Sequence, residues 1–361
     1  MPHIKPDIET FARIKVIGVG GGGGNAVTRM FNAQIKGVDF LIVNTDAQDL
    51  HHAKANTKIH IGKSITKGLG AGMNPDLGRQ SAEENREEIK ESLRGADLVF
   101  ITAGLGGGTG SGASPIIADT AHDTGALVVA VVTKPFSFEG KKRMAIAEEA
   151  LLALRDRVDT LITIPNDKVL NLIDKNTSIV EAFNIIDDIL RQGVQGIADL
   201  ITYPGIVNVD FADIKTIMSE AGSALMGIGK AGGEDRAAVA AKAAINSPLL
   251  DIAIDGAKGV LFNVSGGMDL GMNDVNEAAK VITESIDSDA KVIFGATHDP
   301  RLKKGEIKVT VIATGFGGLV NNGITNSKIQ ELPKKLPIEI IDNEEEWDTP
   351  AFLRKKKNDK T

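Results

Sequence analysis

The sequence predicts an α/β protein in three parts: a Rossmann-like parallel sheet covered by helices, one long central helix, and a smaller α+β domain. Three observations carry this. Apolar runs, "RIKVIGVG", "VDFLIVNTD", "DLVFITAG", "LVVAVVTKP" and "TLITIPND", alternate with helical stretches through the first half. Uninterrupted Val/Ile/Leu runs suit strands buried on both faces, and intervening helices supply the crossovers of a parallel sheet. A helical period then holds from Ile179 to Ile201. Beyond it come two helical stretches and three strand-like runs, before the composition turns polar at Gly317. These shifts set expected boundaries at 1–177 for the sheet domain, 178–204 for the helix and 205–316 for the second domain. Residues 317–346 read as a short linker with little structure and 347–361 as a terminal peptide.

In order, the first strand runs into a glycine segment, Gly18 to Gly24, and the helical "NAVTRMFNAQI". The second ends on Asp46 and is followed by "LHHAKANTKIHIG". The third leads into "AGLGGGTGSGA", with a helix expected to start at Ser111 to Ser114. "LVVAVVTKP", the helical "MAIAEEALLALRDRV" and "TLITIPND" complete the sheet. Ser178 with Glu181 three residues later makes a capping box for the long helix. Ile179, Phe183, Ile186, Leu190, Val194, Ile197 and Ile201 keep its period. Ile185 and Ile189 widen the apolar face, so this helix should be buried on more than one side. Tyr203-Pro204 ends it, because the residue before Pro disfavours helix. In the second domain "DRAAVAAKAAINS" and "VNEAAKVITESI" read as helices; "GAKGVLFNVSG", "AKVIFGATHD" and "EIKVTVIATGF" read as strands.

Composition narrows the function. The net charge is −7 and no basic block occurs before the last residues, which argues against binding a nucleic-acid backbone. The absence of Cys rules out disulfides, thiolate metal sites and cysteine nucleophiles. His51-His52 reads as a solvated surface pair. No apolar run is long enough to span a membrane, and "MPHIKPDIETFARIK" has no signal-peptide core. A cytoplasmic protein without membrane insertion is expected.

Two glycine segments end two strands of one sheet, at the edge where such sheets bind ligands. Neither ends in Gly-Lys-Ser/Thr, so neither is a Walker loop. Asp46, 22 residues after Gly24, stands where a dinucleotide fingerprint places its ribose acid. An NAD-binding oxidoreductase is therefore one reading, but a dinucleotide fold uses a single glycine turn. Two such turns, with Ala71 and Gly72 of "GLGAGMNP", would surround a whole triphosphate with backbone N–H groups and a helix N-terminus. Mg²⁺ would neutralise the remaining charge.

Phe183 and Asp187 are four apart and share a helix face. The ring can stack on a purine, and the carboxylate can accept from N1–H and the exocyclic amine, which guanine offers and adenine does not. The plainer alternative is a core Phe and a solvated Asp. Downstream, "TYPGIVNVDFADIKTIM" carries Asn208, Asp210 and Asp213. Asp210 and Asp213 suit a helix cap and first turn, yet acids three apart beside an amide can also polarise a water. Tyr203 lies 20 residues beyond Phe183, roughly 30 Å along a helix. Catalytic acids there would serve another molecule's nucleotide, and such a head-to-tail contact builds a filament.

These segments resemble the family of the bacterial cell-division protein FtsZ, in the tubulin superfamily. "GGGTGSG" resembles its signature loop; "GVGGGGGNAV", "NTDAQ", "GLGAGMNP", "KPFSFEGKKR", "IPND" and "NVDFAD" resemble its other nucleotide and catalytic segments, in order across residues 11–316. The resemblance implies the tubulin/FtsZ architecture and a GTPase whose site forms between stacked subunits, binding GTP or GDP with Mg²⁺ carried by the nucleotide. It implies phosphate contacts from Gly21, Gly22, Gly23, Gly24, Asn25, Gly108, Thr109 and Gly110, with Gly104 and Gly107 also binding the nucleotide. Thr133, Glu139 and Arg143 would lie around the ribose and phosphates, and Asn166, Phe183 and Asp187 at guanine. Asn208, Asp210 and Asp213 would enter the neighbour's site, with Gln48 helping to place the water. "DTPAFLR" resembles the family's terminal peptide, so Asp348, Pro350, Phe352, Leu353 and Arg354 would dock on membrane-tethering and regulatory division proteins at midcell. A tubulin-like protein for cell shape or plasmid movement is disfavoured by that peptide.

The chain departs from the family in places. Met73 stands where Ala is usual, Leu105 and Ser111 are milder changes, and Trp347 and Thr349 replace aliphatics of the terminal peptide. The linker is short, with a mean reach of about 30 Å by random-coil scaling.

Overall fold

The computed structural model describes residues 12–316, apart from 172, 174–175, 203–206, 208, 251–253, 255 and 300. Asn208 and the whole terminal peptide, with Asp348, Pro350, Phe352, Leu353 and Arg354, lie outside the described residues. The chain opens with β1 (Ile14–Val19), α1 (Gly20–Asn32), β2 (Val38–Asn44), α2 (Ala47–His52) and β3 (Thr57–His60). Helices α3 (Lys63–Thr66), α4 (Pro75–Glu84) and α5 (Arg86–Leu93) follow. Next come β4 (Leu98–Gly104), α6 (Gly108–His122), β5 (Leu127–Lys134), α7 (Lys141–Arg155), β6 (Thr160–Pro165) and α8 (Asn166–Val169). The long helix is α9 (Ile179–Thr202), and α10 (Phe211–Met218) leads into β7 (Gly222–Gly232). Helix α11 (Arg236–Ile245), β8 (Gly259–Gly266), α12 (Met272–Thr283), β9 (Lys291–His298) and β10 (Glu306–Thr314) complete the described chain.

Strands β3, β2, β1, β4, β5 and β6 lie side by side in that order and pair in parallel. Alternate side chains explain why their runs are apolar throughout. Val16, Phe40, Ile42, Phe100 and Val131 join one core with Val27 and Met30 of α1 and Ile186 and Val194 of α9. Ile17, Val19, Leu41, Val99, Ile101 and Ala130 join another with Ala113 and Ile117 of α6 and Leu154 of α7. Both faces are covered, as the sequence pattern requires.

The second half is mixed. β7 joins β6 in parallel over only Thr160–Ile162, then pairs antiparallel with β10; β10 pairs antiparallel with β8, and β8 parallel with β9. β7 has no strand pattern in the sequence, because glycines interrupt it. They are there for α11: a Cβ on Gly227 or Gly229 would lie 2.0 Å from the carbonyl oxygen of Ala244 or Ala240. The buried face of α11 is all alanine, Ala237, Ala240, Ala241 and Ala244, so helix and strand backbones meet closely. "LHHAKANTKIHIG" divides into the end of α2 and strand β3, where a helix alone was expected. Ser178 Oγ accepts from Glu181 N–H at 3.2 Å, and α9 starts at the next residue. Its first turns are partly exposed, whereas every residue from Gly193 to Leu200 is buried.

Candidate active site

The carboxyl ends of β1, β2, β4 and β5 and the N-termini of α1 and α6 enclose a cavity of about 690 Å³, in the size range of small-molecule sites. Both glycine segments are helix starts rather than loops. Helix α1 begins at Gly20, and α6 at Gly108, three residues before the expected Ser111. Neither helix has a capping side chain or an acid in its first turn. Their leading N–H groups and the positive ends of their dipoles are therefore available to an anion. Gly20, Gly21, Gly22, Gly107, Gly108, Thr109 and Gly110 line the cavity there. Helix α2 is the contrast: Asp46 caps it, accepting from Gln48 N–H at 2.9 Å and Asp49 N–H at 3.0 Å.

Gly70, Gly72 and Met73 contribute a third wall. Met73 sits in the left-handed region with φ +62°, a conformation that strains a side chain larger than Asn. Thr133, Glu139 and Arg143 line the middle of the cavity. Glu139 and Arg143 pair at 2.5 Å, while the other Glu139 oxygen accepts from Phe136 N–H. At the far end Phe183, Ile186, Asp187 and Leu190 present one face of α9. Phe183 stands edge-on to buried Phe136 at 5.5 Å yet remains 40 % exposed, so it is not a core residue. Burial pushes the Asp187 carboxyl up to about 6, with Arg29 pulling against it. Asn166 is 5 % exposed, lines the cavity, and its Oδ1 has no hydrogen-bond partner among the described residues. A buried polar atom of that kind calls for a ligand.

Gly104 and Asn25 also line the cavity; Gly23, Gly24, Ala71 and Gln48 do not. A Cβ on Gly23 would lie 2.3 Å from Thr102 O, so this glycine seats α1 on β4. Gly24 is buried toward Ile42, Ala71 is buried against Gly108, and Gln48 is exposed on α2. Sequence reasoning overlooked Asn44 and Asp49, and placed Asp46 at a ribose only in the disfavoured oxidoreductase reading. All three line the cavity beside α1, and Asn44 Nδ2 donates to Asp49 Oδ2 at 2.7 Å. Burial, then the charge of Asp46, raises the Asp49 pKa. Asn44 ends β2, and Asp46 and Asp49 follow at the cap and in the first turn of α2; that position just beyond a strand end was the available signal.

Asp210 and Asp213 are exposed and do not line the cavity. Asp210 occupies the cap position of α10, but its carboxylate makes no capping hydrogen bond. The segment before it lies against the end of α9: a Cβ on Gly295 would meet Leu200 Cδ2, Val209 Cγ2 and Val207 O together. Leu200 is 17 residues from Phe183, roughly 25 Å along α9.

Among the described residues no helix is long and apolar enough to cross a membrane. Residues 13–174 match the family model described as Tubulin/FtsZ family, GTPase domain, and residues 222–317 that of FtsZ family, C-terminal domain. Among solved structures, an FtsZ dimer from M. jannaschii is 45% identical, with 86% of this chain and 90% of that chain covered and a TM-score of 0.83. A mutant of that protein is 46% identical, over 85% and 92%, with a TM-score of 0.82. CetZ2 from Haloferax volcanii, a GTPγS-bound protofilament, is 22% identical over 86% and 96% with a TM-score of 0.72, a likeness of fold.

Proposed function

Because this chain belongs to the FtsZ family of tubulin-like GTPases, we propose that it polymerises head to tail into the filaments of a midcell division ring, each GTP site being completed by the next subunit. The two uncapped helix starts receive the phosphates, Thr133, Glu139 and Arg143 surround the ribose, and Asn166, Phe183 and Asp187 hold guanine. Asp46 and Asp49 suit a Mg²⁺ carried on the phosphates, since a cation beside them relieves the repulsion and burial that raise the Asp49 pKa. When bound, that ion neutralises phosphate charge.

One observation carries the trans arrangement. The acids suited to activating water stand exposed and unspent on capping at the end of α9 remote from the cavity. Asn208, Asp210 and Asp213 of one subunit then polarise the water that attacks the γ-phosphate held by its neighbour, with Gln48 at the rim of that site. The nucleotide site of an isolated subunit lacks these groups. Phosphate release per molecule should therefore rise steeply above a threshold protein concentration. Turnover per molecule that is the same at every concentration would defeat this reading.

The terminal peptide, with Asp348, Pro350, Phe352, Leu353 and Arg354, is the proposed docking element for membrane-tethering and regulatory partners. Removing residues 347–361 should abolish localisation to the ring and leave turnover intact.

A further inference from the structure

Arg29 belongs to no segment singled out by the glycine patterns or the acid loop, yet it stands at the base end of the cavity. It projects from α1 one turn beyond Asn25, donates to Asn184 Oδ1, and holds its Nε 4.0 Å from Asp187 Oδ2. It lines a groove that shares Asn25, Phe183 and Asp187 with the nucleotide cavity.

Asp187 is the group on which base choice rests in the reading above. Its side chain is 18 % exposed, and burial pushes its carboxyl up to about 6, against the pull of the Arg29 guanidinium. A protonated carboxyl becomes a donor at one oxygen and cannot accept both guanine N–H groups. The geometry of the contact matters as much as its sign. A two-bond fork from Arg29 would occupy the carboxylate oxygens that guanine needs. The guanidinium instead donates to Asn184 and stays at charge-pair distance from Asp187. Other charged groups of this region have their own partners or positions. Asp188, the next residue of α9, is hydrogen-bonded by Arg191 and Gln192, and the Arg29 charge acts on it as well. Glu139 pairs with Arg143, and Asp46 and Asp49 line the opposite, phosphate end.

We propose that Arg29 is a positioning residue for guanine selection, holding Asp187 ionised and aimed while leaving its oxygens to the base. The proposal rests on the guanine reading of this cavity. Its test is calorimetric binding of GDP and of ADP to the full chain, below the assembly concentration, from pH 5.5 to 8. The chains compared are wild type, Arg29→Met and Arg29→Lys. Both nucleotides share the titration of a terminal phosphate, so the ratio of their affinities isolates the base.

In the wild type the preference for GDP should decline as pH falls through about 6. In Arg29→Met that decline should begin at higher pH. The ratio at pH 7 should then drop about twofold for a displacement of one pH unit and about tenfold for two, and recover towards pH 8. Arg29→Lys should restore most of the wild-type ratio. An Arg29→Met ratio equal to wild type at every pH overturns the proposal. So does a loss that is the same at every pH, which marks a merely structural role. A wild type with no preference for GDP over ADP at any pH removes the guanine reading itself, and this proposal with it.

Discussion

At the first turns of α9, Phe183, Ile186, Asp187 and Leu190 converge on a cavity with Asn166 and two uncapped helix starts. Past its last turn, Asp210 and Asp213 stand in solvent, and Asp210 is not even used for the cap it occupies. In the proposed reading the same helix carries a binding half-site at one end and a chemical half-site at the other. A rigid, buried rod between them keeps the two apart within a subunit. Under that reading the separation makes activity a property of the contact between copies, because neither end would be sufficient alone.

The largest test breaks the acid end. Asp213→Ala should leave GTP affinity unchanged and lower turnover at saturating GTP by ~10²–10⁴-fold, the usual weight of a positioned acid–base group. Turnover within a few-fold of wild type would remove Asp213 from the chemistry. Mixing sharpens the comparison. Asp213→Ala subunits, with intact cavities, should regain turnover when mixed with subunits that cannot bind nucleotide but keep their acids. Two inactive variants that stay inactive together would contradict a shared site.

Breaking the base end should cost less and in a different quantity. Asp187→Asn leaves a side chain that accepts at one atom only. Losing a charge-assisted hydrogen bond of ~1.5–3 kcal/mol weakens GTP binding about 10- to 100-fold. Turnover at saturating GTP should stay near wild type, since the acids of the neighbour are untouched. A fall in turnover with affinity unchanged would reverse the assigned roles of the two ends.

Much of this was legible in the sequence where local pattern decides structure. The parallel strands announced themselves because burial on both faces leaves no polar position, and α9 because its period never breaks. β7 was hidden because Gly227 and Gly229 answer to α11, a partner brought by the fold and invisible along the chain. Helices α4 and α5 carry mostly polar residues; α4 packs on α6 through Gly78, whose Cβ would lie 2.3 Å from Gly108 O. The site divides in the same way. Phe183 and Asp187 were legible by helical spacing, whereas Asn44 and Asp49 line the cavity only because β2 lies beside β1. Gly23 illustrates the converse, a motif residue recruited for packing.

The smallest expected effect separates the two ends by the fate of a buried acid. Asp199, three turns beyond Asp187 on α9, is likewise pushed up to about 6 by burial. Asp187 opens on the large cavity, whereas Asp199 faces Lys308, Gln195 and Arg301, with Asp299 nearby, and its Oδ1 has no hydrogen-bond partner among the described residues. Its charge serves no ligand in this reading, so it should appear as a cost to stability. The folded carboxyl protonates at about 6 and the unfolded one at 3.8, so the folded state holds the extra proton between those values. Stability therefore falls as pH rises through that window, and the full cost, at most ~3 kcal/mol, is present above pH 6. Asp199→Asn removes it; the pull of Lys308 is already contained in that value, so the net gain is at most ~3 kcal/mol. Denaturant unfolding should show the variant more stable than wild type at pH 7.5, equal to it near pH 3.5, and unchanged in nucleotide affinity. A variant less stable at pH 7.5 would mean that Lys308 and Arg301 more than compensate the burial. The acid near the far end of α9 would then be a clamp between α9 and β10 rather than a burden on the fold.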